Sequence, residues 1–196
     1  MVIKVTPAMV MAVALANTGK RYTIRQFKTL FGVSPLITAI AWELMLLDPR
    51  TIELRVELKD LLKAQHFLNC YTSETELCKL FKVTEKTFRD RCKPALKMLS
   101  DLNTIEWEDR KQPNNRNHKA LTSVDGTDCQ IFEQTPFDGK WCSHKFKGPG
   151  LRYEVAICIV TGHMVWIFGG FPCGSHPDLK IFCLGLAHIL EPGEMS

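Results

Sequence analysis

A polar segment divides the chain into two parts whose apolar residues recur with different periods. Residues Lys111 to Lys119 (Lys-Gln-Pro-Asn-Asn-Arg-Asn-His-Lys) are basic and show no apolar periodicity, which is typical of a linker or an exposed loop. Apolar residues recur at helical spacing before this segment and form short extended runs after it. The pattern predicts an α+β chain: a helical region over residues 1–110, a linker over 111–119 and a mixed α/β domain over 120–196.

The helical region contains two pairs of segments with the order helix, tight turn, helix. In the first pair, Thr23 can cap a helix over Ile24–Phe31 that ends at a glycine. Ser34, followed by proline, then begins a helix over Leu36–Leu47. This order is the outline of a helix-turn-helix. Reading of DNA by this pair is one interpretation, and a packing hairpin is the other.

The second pair combines a short helix with a longer basic one. Glu74–Phe81 is predicted to be a helix, followed by a turn at Val83-Thr84 and a helix over Glu85–Leu102. Pro94 falls inside the longer helix and is expected to kink or restart it. Basic residues lie off its apolar stripe, and both a solvated face and a phosphate-contact face fit this pattern. The predicted nucleic-acid contacts on this helix are Arg89, Lys93 and Lys97.

Charge is distributed unevenly along the chain. Residues 1–119 carry 20 Lys/Arg and 13 Asp/Glu, a net charge of +7, whereas residues 120–196 carry 5 and 8, a net charge of −3. A basic front half and an acidic back half suit a nucleic-acid contact region joined to a carboxylate-bearing site. Ordinary surface lysines on helices are the simpler explanation.

The cysteines and apolar runs bear on the cellular compartment. The eight cysteines form no Cys-x-x-Cys pair, so we expect buried free thiols in a reducing compartment, the nucleus or the cytoplasm. A zinc site is the alternative, although its spacing matches no common zinc module. No apolar run approaches the roughly 20 residues of a membrane span, so no membrane partner is predicted. Val10 to Ala16 lacks a clean cleavage site, so a signal peptide is not expected. The four candidate zinc ligands are Cys142, His144, Cys173 and His176.

Two aspartates in the second part are candidate metal ligands. Asp125 follows the apolar run Leu121 to Val124 and precedes a glycine, so it is predicted to lie at the end of a strand. A hairpin is predicted from Tyr153 to Gly169, and Asp178 is predicted to open a helix that runs to Leu190.

Carboxylates at such positions can hold the hard cations Mg²⁺ or Mn²⁺, which is the requirement of metal-assisted phosphoryl transfer. The glycine after Asp125 leaves backbone room for a metal or a phosphate. A simple turn at Asp125 and a helix N-cap at Asp178 are the structural alternatives. Asp128 is a weaker candidate ligand, because it can be a turn residue.

Several ordered segments resemble the Harbinger-type transposases of the DDE superfamily. In the second part these are Val124-Asp125-Gly126-Thr127, Lys145-Phe146-Lys147-Gly148-Pro149-Gly150, Tyr153-Glu154-Val155-Ala156 and Gly174-Ser175-His176-Pro177-Asp178. Upstream, the similar segments are Arg25-Gln26-Phe27 through Gly32-Val33-Ser34, Trp42-Glu43, and Thr84 to Arg89 leading to Ile105 to Arg110. The specific part of the resemblance is the order and spacing of the segments.

The resemblance implies an RNase H-like catalytic fold, Mg²⁺ or Mn²⁺ as cofactor, and cutting and joining of transposon DNA. Position by position, Asp125 matches the first catalytic acid and Asp178 the second. The family commonly has His-Asp where this chain has His176-Pro177-Asp178. DNA is the implied partner, and Lys145 and Lys147 join the predicted nucleic-acid contacts.

A third acid is expected well downstream of the second, whereas the sequence stops at Ser196. Glu191 and Glu194 lie too close to Asp178 in the sequence to serve as this third acid. We therefore expect an incomplete catalytic centre with weak or absent cleavage, in a homo-oligomer or with a separate DNA-binding partner. A non-catalytic DNA-binding protein and a remnant of a transposable element are the alternatives.

Overall fold

The computed structural model describes residues 4–70, 72–102, 104–111, 120–132 and 135–194. They form an α+β structure, as predicted, with eight α-helices and a four-stranded antiparallel sheet among the described residues. The chain divides into two compact units, residues 1–103 and 104–196. Of the predicted linker, only Lys111 is described, at the end of a 3₁₀ helix over Trp107–Lys111, and the rest lies outside the described residues.

The first unit is helical in its described part. Side-chain caps begin most of its helices: Thr23 and Ser73 form capping boxes with the third residue of their helices, and Ser34 and Thr84 accept backbone N–H groups in the same way. The helices are α1 (Pro7–Thr18), α2 (Ile24–Phe31), α3 (Pro35–Leu46), α4 (Arg50–Glu53), α5 (Leu58–Cys70), α6 (Glu74–Phe81) and α7 (Glu85–Ser100).

The two predicted helix-turn-helix pairs occur as helices joined by short turns. Gly32, with φ of 80°, ends α2, and α3 begins three residues later after a bend of 55°. This bend is smaller than the roughly 90–120° between the helices of a DNA-reading motif. Between α6 and α7, Lys82 takes the left-handed conformation. Helix α7 continues through Pro94 as one element, as the predicted span Glu85–Leu102 has it; of the two expected effects of Pro94, a kink or a restart, the restart does not occur.

One core holds the helices of the first unit together. It contains 18 buried apolar side chains, among them Phe27 and Phe31 of α2. Several polar groups inside this unit are paired, as burial requires, whereas the buried hydroxyl of Thr72 has no hydrogen-bond partner among the described residues. Lys63 Nζ contacts Asp60 Oδ1 at 2.8 Å, and Thr38 donates to Gln65. The first pair lies within α5, and the second joins α5 to α3.

In the second unit, β3 is the central strand. It runs antiparallel to β1 along one edge and to β4 along the other, and the short β2 pairs with its first residues. Side chains alternate between a buried face, to which Glu154 and Ala156 belong, and an exposed face with Ile157 and Ile167. The elements are β1 (Thr122–Gln130), β2 (Cys142–Ser143), β3 (Gly148–Cys158), β4 (Met164–Pro172) and α8 (Asp178–Leu184).

Two element boundaries in the second unit correct the sequence prediction. β1 continues to Gln130 because it pairs with β3 as far as Gly150, so Asp125 lies inside the strand and not at its end. Helix α8 ends at Leu184 rather than at Leu190. At Gly185 the backbone leaves the helical conformation and passes close to the ring of Phe168.

Among the described residues, no single helix is long and apolar enough to cross a membrane. Helices α2 and α3 taken together meet the criterion of length and composition, but they are bent against each other by 55°.

Candidate functional site

Asp125 lies in β1, opposite Val155 of β3. Its side chain is exposed, and its Oδ1 accepts the N–H of Gly126 at 2.8 Å. Strand alternation directs Asp125 to the face opposite Glu154, and the bond to Gly126 turns its carboxylate back toward the neighbouring residue. Because β1 has one neighbouring strand among the described residues, this carboxylate lies at an open edge of the sheet.

Asp178 is the first residue of α8. Pro177 occupies the N-cap position and provides no side-chain cap, so the interpretation of Asp178 as the N-cap was wrong. The carboxylate of Asp178 is 57% exposed and lies directly against Gly126. A Cβ atom at position 126 would stand 2.2 Å from Asp178 Oδ1. Glycine is therefore the residue that leaves room for this carboxylate.

Both aspartates contact Gly126, but from different sides: Asp178 lies on the face of the sheet that carries Glu154, and strand alternation places Asp125 on the other. Asp125 Oδ1 is 2.8 Å from the nitrogen of Gly126, and Asp178 Oδ1 is 2.2 Å from its virtual Cβ. Since N and Cβ of one residue are about 2.5 Å apart, the two Oδ1 atoms lie no more than about 7.5 Å from each other. Both residues line a cavity of about 370 Å³ in the second unit, together with Glu154, Ile181 and others.

A buried arginine holds Asp178 in place. Arg152 forms two bonds to the carboxylate of Asp128, with Nε to Oδ1 at 2.6 Å and Nη2 to Oδ2 at 2.9 Å. Its Nη1 contacts Asp178 Oδ1 at 3.4 Å. Ser143 donates to Asp128 as well. Arg152 thus links Asp178 to the sheet.

Asp128 serves this ion pair and lies in β1, so its interpretation as a turn residue was wrong. Hydrogen bonding to Arg152 holds the pKa of Asp128 well below its usual range, which keeps the carboxylate charged.

Sequence reasoning missed Glu154. This residue of β3 is 4% exposed and lines the cavity beside Asp178. One carboxylate oxygen accepts the indole N–H of Trp166 at 3.1 Å, and the backbone N–H of Leu186 also donates to the carboxylate. Burial raises the pKa of Glu154, and the nearby Asp178 adds to the rise. The available signal was an acidic residue at the start of the apolar run that ends β3.

The predicted nucleic-acid contacts differ in their surroundings. Arg89 is paired with Glu74 at 2.5 Å, and Lys97 with Asp101 at 2.5 Å, so part of their charge is neutralised within the protein. Lys93 is exposed on the same helix. In the second unit, Lys145 Nζ donates to the carbonyl oxygen of Gly126 at 2.5 Å, next to the two aspartates. Lys147 is exposed in the turn before β3.

Glu191 and Glu194, the two glutamates that follow Asp178, belong to a cluster of ion pairs. Arg110 is buried, stacks over Trp107 at 4.2 Å, and bonds to Glu194 through Nε at 2.7 Å. Lys111 bonds to Glu191. Glu191 and Glu194 therefore connect the 3₁₀ helix to the end of the described chain and do not line the cavity.

Within the described residues, neither the four residues proposed as zinc ligands nor the carboxylates of the cavity form a group of three or more that could hold a metal ion. His176 stacks on Phe171 and bonds to Ser175, and burial raises the pKa of Cys173 to about 11. All eight cysteines are free thiols, as predicted, but the expectation that they are buried was wrong for Cys129 and Cys183, which are exposed.

Comparison of the chain with protein-family models, with curated proteins and with solved structures finds no match.

Proposed function

We propose that the second unit is an RNase H-like domain of a DDE-type, transposase-derived nuclease, and that Asp125 and Asp178 hold Mg²⁺ or Mn²⁺ for chemistry on DNA phosphodiesters. The observation that carries the proposal is that both carboxylates contact Gly126 and line one cavity at an open sheet edge. The resemblance of the ordered segments around them supports the choice of DNA as substrate.

The residues present fit a divalent cation of the magnesium type. Mg²⁺ takes oxygen ligands, keeps several waters and is commonly held by one or two carboxylates together with substrate phosphates. Oxygens that share one such ion lie about 3–4 Å apart, so a shared ion requires a separation at the short end of the range that Gly126 allows. Both side chains are exposed, so rotation about their own bonds can adjust the separation. When bound, the ion supplies Lewis-acid activation of the phosphodiester and of a water nucleophile.

The protein's own groups orient the carboxylates and the substrate. The N–H of Gly126 donates to one oxygen of Asp125, and Arg152 Nη1 contacts one oxygen of Asp178 at 3.4 Å. Lys145, beside Gly126, provides a positive charge for a substrate phosphate. Small displacements of such groups cost large factors in rate, so rigid support from β1 and β3 is what this chemistry requires.

We propose further that this chain alone binds metal but cleaves DNA weakly or not at all. The resemblance implies three acids, and in the described residues only two exposed carboxylates line the cavity. Glu154 is buried and hydrogen-bonded, and Glu191 and Glu194 are paired with arginine and lysine.

Mn²⁺ binding to the full chain tests the site directly. Asp125→Asn and Asp178→Asn are each expected to weaken binding by about tenfold or more, because each removes a charged ligand. Asp109→Asn, an exposed aspartate of the same unit outside the cavity, is the matched control and should bind as the parent does. Unchanged Mn²⁺ affinity in the double variant would refute the site.

Mg²⁺-dependent nicking of supercoiled plasmid by the full chain should be weak. Strong nicking that is lost in Asp125→Asn would support the site and would refute the proposal that its catalytic centre is incomplete.

A second candidate function is DNA binding without catalysis. It is favoured by the positive net charge of the front half of the chain. Binding that persists in EDTA and in the double aspartate variant, with no nicking under any metal condition, is the result expected for this candidate.

A further inference from the structure

The first 42 residues contain no acidic side chain. Glu43 is the first acidic residue of the chain, and five basic residues precede it. A stretch of this length without acids leaves no local partner for its positive charges. The five basic residues are Lys4, Lys20, Arg21, Arg25 and Lys28.

Four of these cations gather around the start of α2. Lys20 and Arg21 lie in the link between α1 and α2, and Arg25 and Lys28 lie one turn apart on the outer side of α2. All four side chains are exposed. The ammonium of Lys82 adds a fifth charge nearby, because it lies 3.3 Å from the position of a Cβ on Gly19.

The surface between them is concave. An open groove of about 460 Å³, here named the α2 groove, is lined by three of the cations and by polar side chains that can contact an anion. No acidic residue lines the groove. Its main charged and polar lining residues are Lys20, Arg21, Tyr22, Arg25, Gln26 and Thr29.

In the part of the chain that the structure describes, the cations around the α2 groove have no carboxylate partner. Among the described residues, none of the four forms an ion pair, whereas Arg50, Arg89 and Lys97 of the same unit are each paired with a carboxylate. Arg25 and Lys28, three residues apart on one helix, also repel each other. A bound polyanion relieves this repulsion and releases counterions from its own phosphates.

We infer that the α2 groove binds the phosphate backbone of nucleic acid. A membrane surface is a poorer fit, because an interfacial helix must insert its apolar face, and the apolar residues Phe27 and Phe31 of α2 are buried in the core. The inference rests on the proposed function only for the choice of DNA as the ligand. It places the contact at α2, and not at the basic side of α7 that the sequence analysis favoured.

Binding of the full chain to a short fluorescein-labelled DNA duplex, in EDTA, tests this site without involving the metal centre. The groove variant Lys20→Gln/Arg21→Gln/Arg25→Gln is compared with the α7 variant Arg89→Gln/Lys93→Gln/Lys97→Gln. Both lose three positive charges, so a difference between them reports position and not net charge. Far-UV circular dichroism and urea unfolding of each variant show whether the fold is retained.

The groove variant is expected to lose about tenfold or more in affinity at moderate salt, and its slope of log K against log salt should fall by about 0.9 for each phosphate that it no longer neutralises. The α7 variant should change both quantities much less.

Equal losses in the two folded variants would refute binding of DNA at the α2 groove, as would binding of the parent to phosphatidylserine vesicles but not to DNA. If the groove variant does not fold, Arg25→Gln alone is used, and an unchanged salt slope overturns the inference. The Asp125→Asn/Asp178→Asn variant should bind DNA normally in EDTA, so failure of the metal site does not affect this test.

Discussion

Gly126 is the residue on which the candidate metal site depends. In Gly126→Ala, the new Cβ would stand 2.2 Å from Asp178 Oδ1, so the carboxylate must move. The obstructed atoms belong to the end of an exposed side chain, and the carboxylate can rotate toward solvent. We therefore expect a small loss of stability, below about 1 kcal/mol, because the ion pair of Asp178 with Arg152 is weakened. Mn²⁺ affinity, measured by titration of the full chain, should fall severalfold.

Gly139→Ala is the matched control for this substitution. Gly139 lies in the same unit, and a Cβ there would meet no atom within 4 Å. It should leave both Mn²⁺ affinity and unfolding unchanged. An equal Mn²⁺ affinity in Gly126→Ala and the parent would show that Asp178 is not a ligand in the position seen here.

Glu154 is expected to make the stability of the second unit depend on pH. Its pKa in the folded state is raised by burial above the value of about 4.3 in an unfolded chain. The folded state therefore favours the protonated form, and stability is highest below the unfolded pKa and falls as pH rises through the folded pKa. Glu154→Gln removes the charge and keeps an oxygen for the indole of Trp166. The variant should gain stability relative to the parent as pH rises from about 4 toward 7.

Urea unfolding across that pH range measures the effect. Glu106→Gln, an exposed glutamate in the same unit, is the control and should follow the parent at every pH. A difference between Glu154→Gln and the parent that stays constant with pH would show that the titration of Glu154 is not linked to folding.

For individual residues, the sequence predicts which side chains can bind a metal better than it predicts which side chains contact each other. The pairing of Asp125 with Asp178 could be predicted, because both stand beside glycine-rich or turn-forming residues in ordered segments. The roles of Arg152 and Glu154 could not. They follow from the antiparallel register, which sets Glu154 opposite Gly126, and register depends on hydrogen bonds between residues far apart in the chain.

The cost of a proline inside a helix can be measured at Pro94. The proline lies inside α7 and lacks the N–H that would donate to the carbonyl of Asp90. Pro94→Ala restores this donor and a better helix former, and we expect stability to rise by about 1–3 kcal/mol. Urea unfolding of the full chain followed by circular dichroism provides the measurement. Lys93→Ala, exposed on the same helix, is the control and should stay within about 0.5 kcal/mol of the parent.

A loss of stability in Pro94→Ala would mean that packing of the partly buried ring outweighs the missing hydrogen bond.

The helices of the first unit show which features of a helix can be predicted from the sequence. Helix starts could be read from Thr23, Ser34 and Thr84, because capping is a local interaction. Whether the predicted helix restarts at Pro94 could not be read in this way, since burial of Phe88 and Met98 on one side of the helix is a tertiary effect.

The end of β1 could not be predicted from its own residues either. Its apolar residues suggested an end at Asp125, but the strand continues for five more residues because β3 offers partners as far as Gly150. A strand with polar residues such as Asp125 and Thr127 is held by the ladder and not by its own side chains. The extra length matters for the site, because it places Asp125 on a rigid element.

The two units of the whole molecule differ greatly in their cores. The first unit holds 18 buried apolar side chains in one cluster, whereas the main cluster of the second holds Ala156, Cys158 and Val165. On the exposed face of its sheet, the second unit presents Ile157, Met164 and Ile167 to solvent. Exposed apolar surface on a sheet favours association with another surface or aggregation.

This difference predicts unequal behaviour of the separated units. Residues 1–103 should fold alone, with a helical circular dichroism spectrum and one cooperative urea transition, because a single core unites their helices. Residues 104–196 should unfold with low cooperativity or aggregate, since few apolar side chains are buried to offset the entropy of ordering. Dynamic light scattering and urea unfolding of both fragments distinguish these outcomes. A sharp transition in a monomeric second fragment would show that ion pairs such as those of Arg110 and Arg152 hold the sheet and α8 together without a larger apolar core.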